Sequence, residues 1–251
     1  MIEIKNIDDP RIEEFRSLKN KNLLRKDLII VEGEKVILKL LNSSLKVFKI
    51  FAPKWFLEKY KSILQGDIYQ ADKKIREEIV GHHLHQGIMA LAERPAEYDL
   101  CNLSFPALIL NGVTSPENVG SIVRSCAAFG IKSLIIGPKS CSPYLRRCIR
   151  VSMGNIFSMK VHHSKNLEQT IDKLKEDSVL IYGTANIPGA HNLRTLKLKK
   201  ESALIMGSEG HGIEPEILAL CDQVIKIPVD IDVAHLNVAT ATAIFLYHLS
   251  S

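Results

Sequence analysis

The sequence predicts an α/β fold, and two observations support that prediction. Short apolar runs of five or six residues alternate with amphipathic stretches along the 251 residues, which is the pattern of strands joined by crossover helices. Apolar residues make up 46% of the chain, enough for a sizeable core and too many for a disordered chain. A chain of this length favours one large domain or two small ones.

The first third of the chain predicts a small α/β domain. Its strand candidates are "DLIIVE", "KVFKIF", "GDIYQA" and "GIMALA", and the stretches between them predict helices over 11–20, 34–43, 54–64 and 73–80. The polar stretch that follows, "ERPAEYDLCNLSFP", is bounded by two prolines and has the composition of a linker. We therefore place a first domain over 1–95 and a linker over 96–106.

The remainder, 107–251, predicts a second α/β domain with a parallel sheet. Strands that alternate with crossover helices are parallel and buried on both faces. Ligands of such sheets bind beyond the carboxyl ends of the strands, which is where the polar segments described below fall. The predicted strands cover 107–111, 133–137, 157–162, 178–183, 202–207 and 223–228, and the predicted helices cover 118–129, 142–152, 166–176 and 236–249.

Composition also bears on the cellular compartment. No apolar run approaches the ~20 residues that span a bilayer, and the charged opening "MIEIKNIDDPRIEEF" is unlike a secretory signal. Five cysteines form no C-x-x-C pair, which is typical of free thiols in a reducing cytosol rather than of disulfides or zinc. We therefore expect a cytoplasmic protein.

The charge of the chain is mildly positive and uneven. Of the net +5, +4 lies in residues 1–95, and the stretch 11–26 alone has six basic and two acidic residues. Such a patch favours a polyanion through phosphate contacts, although a solvated helix face has the same composition. The candidate RNA-binding residues are Lys19, Lys21, Arg25 and Lys26, with Arg146, Arg147 and Arg150 on one later helix.

The first polar segment of the second domain is "LNGVTSPENVGSIVRSCAAFG". Asn118 offers an amide that can bind a ligand or cap the helix. Arg124 follows on a helix that is otherwise apolar, and burying an arginine requires an anionic or carbonyl partner. An internal ion pair is the alternative to a functional role for Arg124.

The second polar segment is "LIMGSEGHGIEPE", in which Gly207, Gly210 and Gly212 follow directly on a strand. Glycines there allow backbone amides to approach a ligand closely. The spacing is neither G-x-G-x-x-G nor a Walker motif. Glu209 is placed to orient Arg124 or Asn118, and a helix-capping carboxylate is the alternative.

The third polar segment is "IPVDIDVAHLNVA". Pro228 ends the last predicted strand, and His235 and Asn237 precede a helix rich in alanine and threonine. Small side chains on that helix would let another chain segment come close. A simple N-cap is the alternative role for Asn237.

These three segments, in this order, resemble the motifs of the SpoU (TrmH) RNA methyltransferases of the SPOUT superfamily. The resemblance covers roughly 107–249, and residues 1–95 resemble, more weakly, an accessory RNA-binding domain related to a ribosomal protein fold. "VSMGNIF" is similar to the family's intermediate segment through Ser152 and Gly154. The matching motif residues are Asn118 and Arg124; Gly207, Glu209, Gly210 and Gly212; and Ile227, Pro228, Leu236, Asn237 and Val238.

The resemblance implies a deep trefoil knot at the end of the chain and a homodimer packed through the knot, with the active site shared between protomers. It implies methyl transfer from S-adenosylmethionine to a ribose 2′-hydroxyl of RNA. We favour ribosomal RNA because the N-terminal module suits a folded RNA hairpin or loop. The implied cofactor residues are Thr184, Gly207, Glu209, Gly210, Ile227, Pro228, Leu236 and Asn237, and the implied catalytic residues are Arg124, Asn118, Glu209, Asn237 and His235.

Side-chain chemistry limits the roles of Arg124 and His235. A guanidinium has a pKa above ~12 and no acceptor, so Arg124 suits stabilisation of an alkoxide or a grip on phosphate rather than a base. The proton of the hydroxyl could leave through that phosphate, Glu209 or His235. His235 stands where the family usually has serine, and Asp230, Ile231 and Asp232 also depart from the pattern; His235 is either tolerated drift or an acid/base group.

Other functions fit the sequence less well. A tRNA substrate is the nearest enzymatic alternative, and a non-catalytic knotted RNA-binding protein is the alternative from another class. A nucleotide-binding metabolic enzyme is disfavoured by the missing phosphate motifs. His82, His83 and His85 lack accompanying cysteine or carboxylate ligands, so no metal site is predicted.

Overall fold

The computed structural model describes residues 1–16, 21–24, 26–80, 87–230 and 235–250, without the side chains of Lys21, Asn22 and Val80. Two compact units divide the chain: Met1–Pro95 with Tyr144–Phe157, and Ala96–Pro143 with Ser158–Ser251. Several residues singled out in the sequence lie outside the described residues or side chains: Lys19, Lys21, Arg25, His82, His83, His85, Ile231 and Asp232.

The first 95 residues contain the four strands predicted from the sequence and one more at the start. The extra strand has three residues in a charged stretch, too short for a periodic signal. The predicted helix over 54–64 ends at Lys59. The strands are β1 Ile2–Ile4, β2 Leu28–Glu32, β3 Val47–Ala52, β4 Asp67–Ala71 and β5 Met89–Glu93, and the helices are α1 Glu13–Arg16, α2 Lys21–Leu24, α3 Glu34–Leu41, α4 Lys54–Lys59 and α5 Lys73–Val80.

These strands form a five-stranded mixed sheet in the order β1-β4-β3-β5-β2. Strand β5 is antiparallel to both β2 and β3, and β4 is parallel to β1 and β3. Mixed sheets that combine antiparallel and parallel pairs in this way are common in α/β proteins. Apolar side chains from the strands and α1 fill its core, among them Ile4, Phe15, Ile30, Phe51 and Met89.

The rest of the chain supplies the elements of the larger sheet. The predicted strand over 157–162 begins later, because residues 155–158 form a 3-10 turn. The elements β10 and α9 were not predicted. In chain order the elements are β6 Ala107–Leu110, α6 Pro116–Ala128, β7 Ser133–Ile136, α7 Arg146–Val151, β8 Lys160–His163, α8 Leu167–Glu176, β9 Leu180–Thr184, β10 His191–Asn192, β11 Ser202–Met206, α9 Pro215–Ala219, β12 Gln223–Lys226 and α10 Val238–Ser250.

The larger sheet has seven strands, all parallel, in the order β10-β12-β9-β11-β6-β7-β8. Every residue of β6, β7 and β11 is buried, as expected for central strands covered on both faces. The predicted parallel sheet is therefore confirmed. Because β9, β11 and β6 are neighbours, the loops after them begin side by side at one edge of the sheet.

Helix α7 belongs to the first compact unit, whereas the sequence predicts a single domain over 107–251. It packs on β2, where the carboxylate of Glu32 is only 6% exposed. Arg150 Nη1 lies 3.2 Å from Glu32 Oε1, and Arg146 Nε lies 3.7 Å from Glu32 Oε2. The single carboxylate of Glu32 offsets part of the positive charge that the sequence suggests for binding RNA phosphate, whereas Lys26 is exposed. The RNA-binding role of the three arginines stays a prediction.

All five cysteines are free thiols, and they differ in exposure. Cys101 is exposed, whereas Cys126 on α6 and Cys148 on α7 are buried. Burial raises the pKa of Cys126 to about 12, which keeps that thiol protonated and unreactive at neutral pH. Among the described residues, no helix is both long and apolar enough to cross a membrane.

These exposures predict the order in which the thiols react with dithionitrobenzoate. In the folded protein Cys101 should react at once, while Cys126 and Cys148 should react only after unfolding, because buried thiols are neither ionised nor accessible. Release of thionitrobenzoate is the measurement. Cys141 and Cys221 are half-buried and should react more slowly than Cys101. The triple variant Cys101→Ser, Cys141→Ser and Cys221→Ser should release no thionitrobenzoate while folded, and release from this variant would contradict the burial of Cys126 and Cys148.

Candidate active site

Three loops meet at the carboxyl edge of the larger sheet, and each follows one of the adjacent strands β9, β11 and β6. Thr184 ends β9, and its hydroxyl donates to the carbonyl of Ile205 on β11 at 2.8 Å. Gly207 follows β11. Asn111 follows β6, and its backbone N–H donates to Met206 O at 2.9 Å. The parallel register thus places three segments distant in sequence at one edge.

The loop after β6 positions Asn118 on the first turn of α6. Ser115 caps this helix by accepting from Asn118 N at 3.3 Å, and Pro116 occupies the first helical position. Proline there loses no hydrogen bond, because the first amides of a helix have no intrahelical partner. Asn118 is therefore not the cap, and its side chain is half-buried and available to the site.

Gly207 is required by close backbone packing in the loop after β11. A Cβ at this position would lie 2.1 Å from the carbonyl carbon of Gly212 and 2.3 Å from the nitrogen of Ile213. The turn closes through two backbone hydrogen bonds between Ser208 and Gly212, of 2.9 and 3.0 Å. Glu209 lies in this turn with its side chain exposed.

Asn237 connects the three polar segments identified in the sequence. Its Oδ1 accepts from Ala239 N at 2.9 Å and from Thr240 N at 3.3 Å, so it is the N-cap of α10. Its Nδ2 donates to Asn118 Oδ1 at 3.1 Å and to Glu209 Oε1 at 2.5 Å. Asn237 therefore caps α10 and also contacts the other two polar segments, and its role in cofactor binding or catalysis stays a prediction.

A cavity of about 390 Å³ lies beside this cluster. Its size falls within the range of ligand pockets. Of the eight predicted cofactor residues, six line it: Thr184, Gly207, Glu209, Gly210, Ile227 and Leu236. Pro228 and Asn237 are absent from its described lining, which also includes His235 and the apolar side chains of Ile187, Ile213, Ile225 and Phe245.

Arg124 is not buried, although its position on an otherwise apolar helix favours burial. Its side chain is exposed, so it needs no partner to offset burial. Among the described residues it makes neither a hydrogen bond nor an ion pair, and Glu209 bonds Asn237 instead. The helix packs its apolar residues inward and directs Arg124 to solvent. His235 is exposed as well.

A second cavity, of about 500 Å³, shares the wall formed by Ser208–Gly212 with the first. Asn111, Lys139 and Glu214 line it together with Asn118 and Glu209. Sequence reasoning missed the first three, since each comes from a different segment. The only available signal was the position of Asn111 at the end of a buried strand.

The described parts of the chain contain no group of three histidine, cysteine, aspartate or glutamate residues that could hold a metal ion.

Comparison with known proteins identifies the family. The model of the SpoU rRNA methylase family matches residues 106–247. The chain is 34% identical over 193 residues to the 23S rRNA (guanosine-2′-O-)-methyltransferase RlmB of Escherichia coli, covering 73% of this chain and 79% of that protein. It is 29% identical to an uncharacterized tRNA/rRNA methyltransferase of Mycobacterium tuberculosis, covering 96% and 88%.

Solved structures are similar over nearly the whole chain. A protein from Porphyromonas gingivalis assigned to the TrmH family of RNA methyltransferases has a TM-score of 0.85 at 26% identity, covering 98% of both chains. The SpoU methyltransferase AviRb from Streptomyces viridochromogenes, in complex with AdoMet, has a TM-score of 0.82 at 22% identity, covering 96% of this chain and 98% of that one. The AviRb likeness is one of fold.

The packing of Gly207 predicts that Gly207→Ala destabilises the protein by more than about 3 kcal/mol, because overpacking already costs 1–3 kcal/mol when side chains can yield and here backbone atoms are struck. Thermal unfolding measures the effect. Gly210→Ala is the matched variant, because a Cβ there meets nothing within 4 Å, and it should unfold near the wild-type temperature. Equal unfolding temperatures for Gly207→Ala and wild type would contradict this packing.

Proposed function

Because this chain belongs to the SpoU rRNA methylase family, we propose that it transfers a methyl group from S-adenosylmethionine to a ribose 2′-hydroxyl of RNA. The observation that supports this best is the meeting of Asn118, Glu209 and Asn237, one from each polar segment, beside a cavity of ligand size. Ribosomal RNA is the favoured substrate because the Escherichia coli relative acts on 23S rRNA. A tRNA is the second candidate, since the mycobacterial relative is named for both RNAs.

The first cavity suits S-adenosylmethionine. Gly207 lets the turn Ser208–Gly212 pack against its own backbone, and this turn forms part of the cavity wall. Thr184, Gly207, Ile227 and Leu236 would hold the cofactor among the apolar side chains of the lining. When bound, the cofactor supplies an electrophilic methyl group on a sulfonium, which departs readily as a neutral thioether.

The chain's own residues would align the acceptor hydroxyl and receive its proton. Asn237 Nδ2 holds Glu209 through Oε1, and Oε2 has no partner among the described residues, so this carboxylate can accept a proton. Asn118, fixed by the same amide, would orient the ribose. A rigid arrangement of this kind raises the effective molarity of the reacting groups.

Arg124 would stabilise the developing alkoxide or grip the adjacent phosphate. It has no partner among the described residues, so its guanidinium is available to bind the substrate or a residue of a second protomer. We further propose the family's trefoil knot at the end of the chain. We propose a homodimer whose active site is shared between protomers.

Exposed apolar side chains on neighbouring helices support the dimer. Ile244 and Tyr247 on α10 are 37% and 65% exposed, and Ala127 and Ala128 on α6 are exposed as well. Helices α6 and α10 pack together, and the rings of Phe129 and Tyr247 are 5.9 Å apart. A second copy could bury exposed apolar side chains of both helices.

We propose that residues 1–95 bind RNA, joined by a linker over 96–106 to the methyltransferase domain over 107–251, of which Tyr144–Phe157 belongs to the first compact unit. The cytoplasm is the proposed location, and it is consistent with five free thiols.

The proposed function predicts that the protein binds S-adenosylmethionine and leaves a methyl mark on RNA. Isothermal calorimetry measures the first, and mass mapping of 2′-O-methyl sites on RNA from cells with and without the protein measures the second. Binding together with a mark that disappears on deletion is the expected result. Failure to bind at millimolar cofactor would leave a non-catalytic RNA-binding protein as the alternative.

The assignment of the proton to Glu209 predicts that Glu209→Gln lowers kcat by roughly 10²-fold or more, as for other general bases. It should retain cofactor binding, because the glutamine oxygen can still accept from Asn237. His235→Ser should keep the wild-type pH profile, and His191→Ser, on the exposed edge strand β10, is the control for removing a histidine. Loss of turnover and a shifted pH profile in His235→Ser alone would instead assign the proton to His235.

A further inference from the structure

The second cavity adjoins the first cavity, in which the cofactor is proposed to bind. The two cavities share the wall Ser208–Gly212, and the second is bordered by Asn118 and Glu209. In-line transfer requires the acceptor oxygen to lie against the methyl group, so the acceptor's pocket must adjoin the cofactor's pocket. With a volume of about 500 Å³, it can enclose a nucleoside.

A fixed polar group lies in this second cavity. Asn111 is 3% exposed, and both ends of its amide hold Glu214: Nδ2 donates to Glu214 Oε2 at 2.8 Å, and Oδ1 accepts from Glu214 N at 2.8 Å. Lys139 donates to Glu214 Oε1. The carboxylate and the ammonium are thus presented side by side.

Two further contacts fix the backbone next to Lys139. Ser140 Oγ donates to Leu110 O at 2.9 Å and accepts from Val113 N at 3.2 Å. The hydrogen bond from Lys139 lowers the pKa of Glu214, and Asn111 adds to the effect. The hydrogen bond to Glu214 raises the pKa of Lys139, so both groups are charged at neutral pH.

This pair offers one donor beside two acceptor oxygens. Guanine presents the complementary edge, with the acceptor O6 followed by the donors N1–H and N2–H. Uracil and cytosine fit this pair less well, because in either orientation of the base one of their acceptors would face a carboxylate oxygen. Adenine has only one donor group, N6–H₂, on its Watson–Crick edge and so cannot satisfy both carboxylate oxygens. Charged side chains paired with base edges are an ordinary means of discrimination, and unstacked bases of RNA are read on their Watson–Crick edge.

We propose that the second cavity receives the base of the nucleotide to be methylated, and that Lys139 and Glu214 select guanine. This inference rests on the proposed methyltransferase function and names the nucleotide that the function acts on. Lys139 would donate to O6, and Glu214 would accept from N1–H and N2–H with the lone pairs left by its present partners. Asn111 is a positioning residue, because it contacts Glu214 rather than the base.

The test uses NMR titration to measure the binding of 5′-GMP, 5′-IMP and 5′-AMP to the full chain saturated with S-adenosylhomocysteine. GMP should bind about tenfold more tightly than IMP, which lacks the N2 amino group, since one hydrogen bond to a charged group is lost. AMP should bind still more weakly. In Glu214→Gln the preference for GMP over IMP should fall towards one.

Glu216→Gln is the matched control, because it removes the same charge from an exposed residue two positions further on that does not line the described wall of the cavity. It should retain the preference for GMP. Equal affinities for GMP and AMP in the wild type, no binding of any nucleotide, or an unchanged preference in Glu214→Gln would overturn the assignment. Failure of S-adenosylhomocysteine itself to bind in calorimetry would instead overturn the proposed function.

Discussion

The candidate site depends on the side-chain amide of Asn237. One end of that amide caps α10, and the other end donates to Asn118 and Glu209. No other described side chain bonds both of these residues. A single group therefore satisfies helix backbone that has no intrahelical partner and also fixes the distance between two segments separated by 91 positions along the chain.

The parallel sheet could be predicted because its central strands are buried on both faces and read as unbroken apolar runs. β6, β7 and β11 show this directly. The motif residues Asn118, Glu209 and Asn237 could be predicted from family resemblance, and the order of strands then explains why they meet. The exposure of Arg124 could not be predicted, because composition around a helical residue does not reveal which face of the helix is covered.

Two features had no signal in the sequence for a physical reason. The assignment of α7 to the first compact unit follows from its packing on β2 and the ion pairs to Glu32, and pairing between residues more than 100 positions apart leaves no periodic pattern. The contacts among Asn111, Lys139 and Glu214 likewise join three loops. Loop residues carry function without the regular spacing that marks strands and helices.

The cap at the start of α10 has a consequence for local stability. The amides of Ala239 and Thr240 donate to the same side chain that holds Asn118 and Glu209, so fraying of this helix turn and opening of the site are one event. Helix ends usually exchange their amide hydrogens readily. Slow exchange at these two amides would therefore report an assembled site, whereas exchange as fast as at an uncapped helix end would show that the turn opens independently.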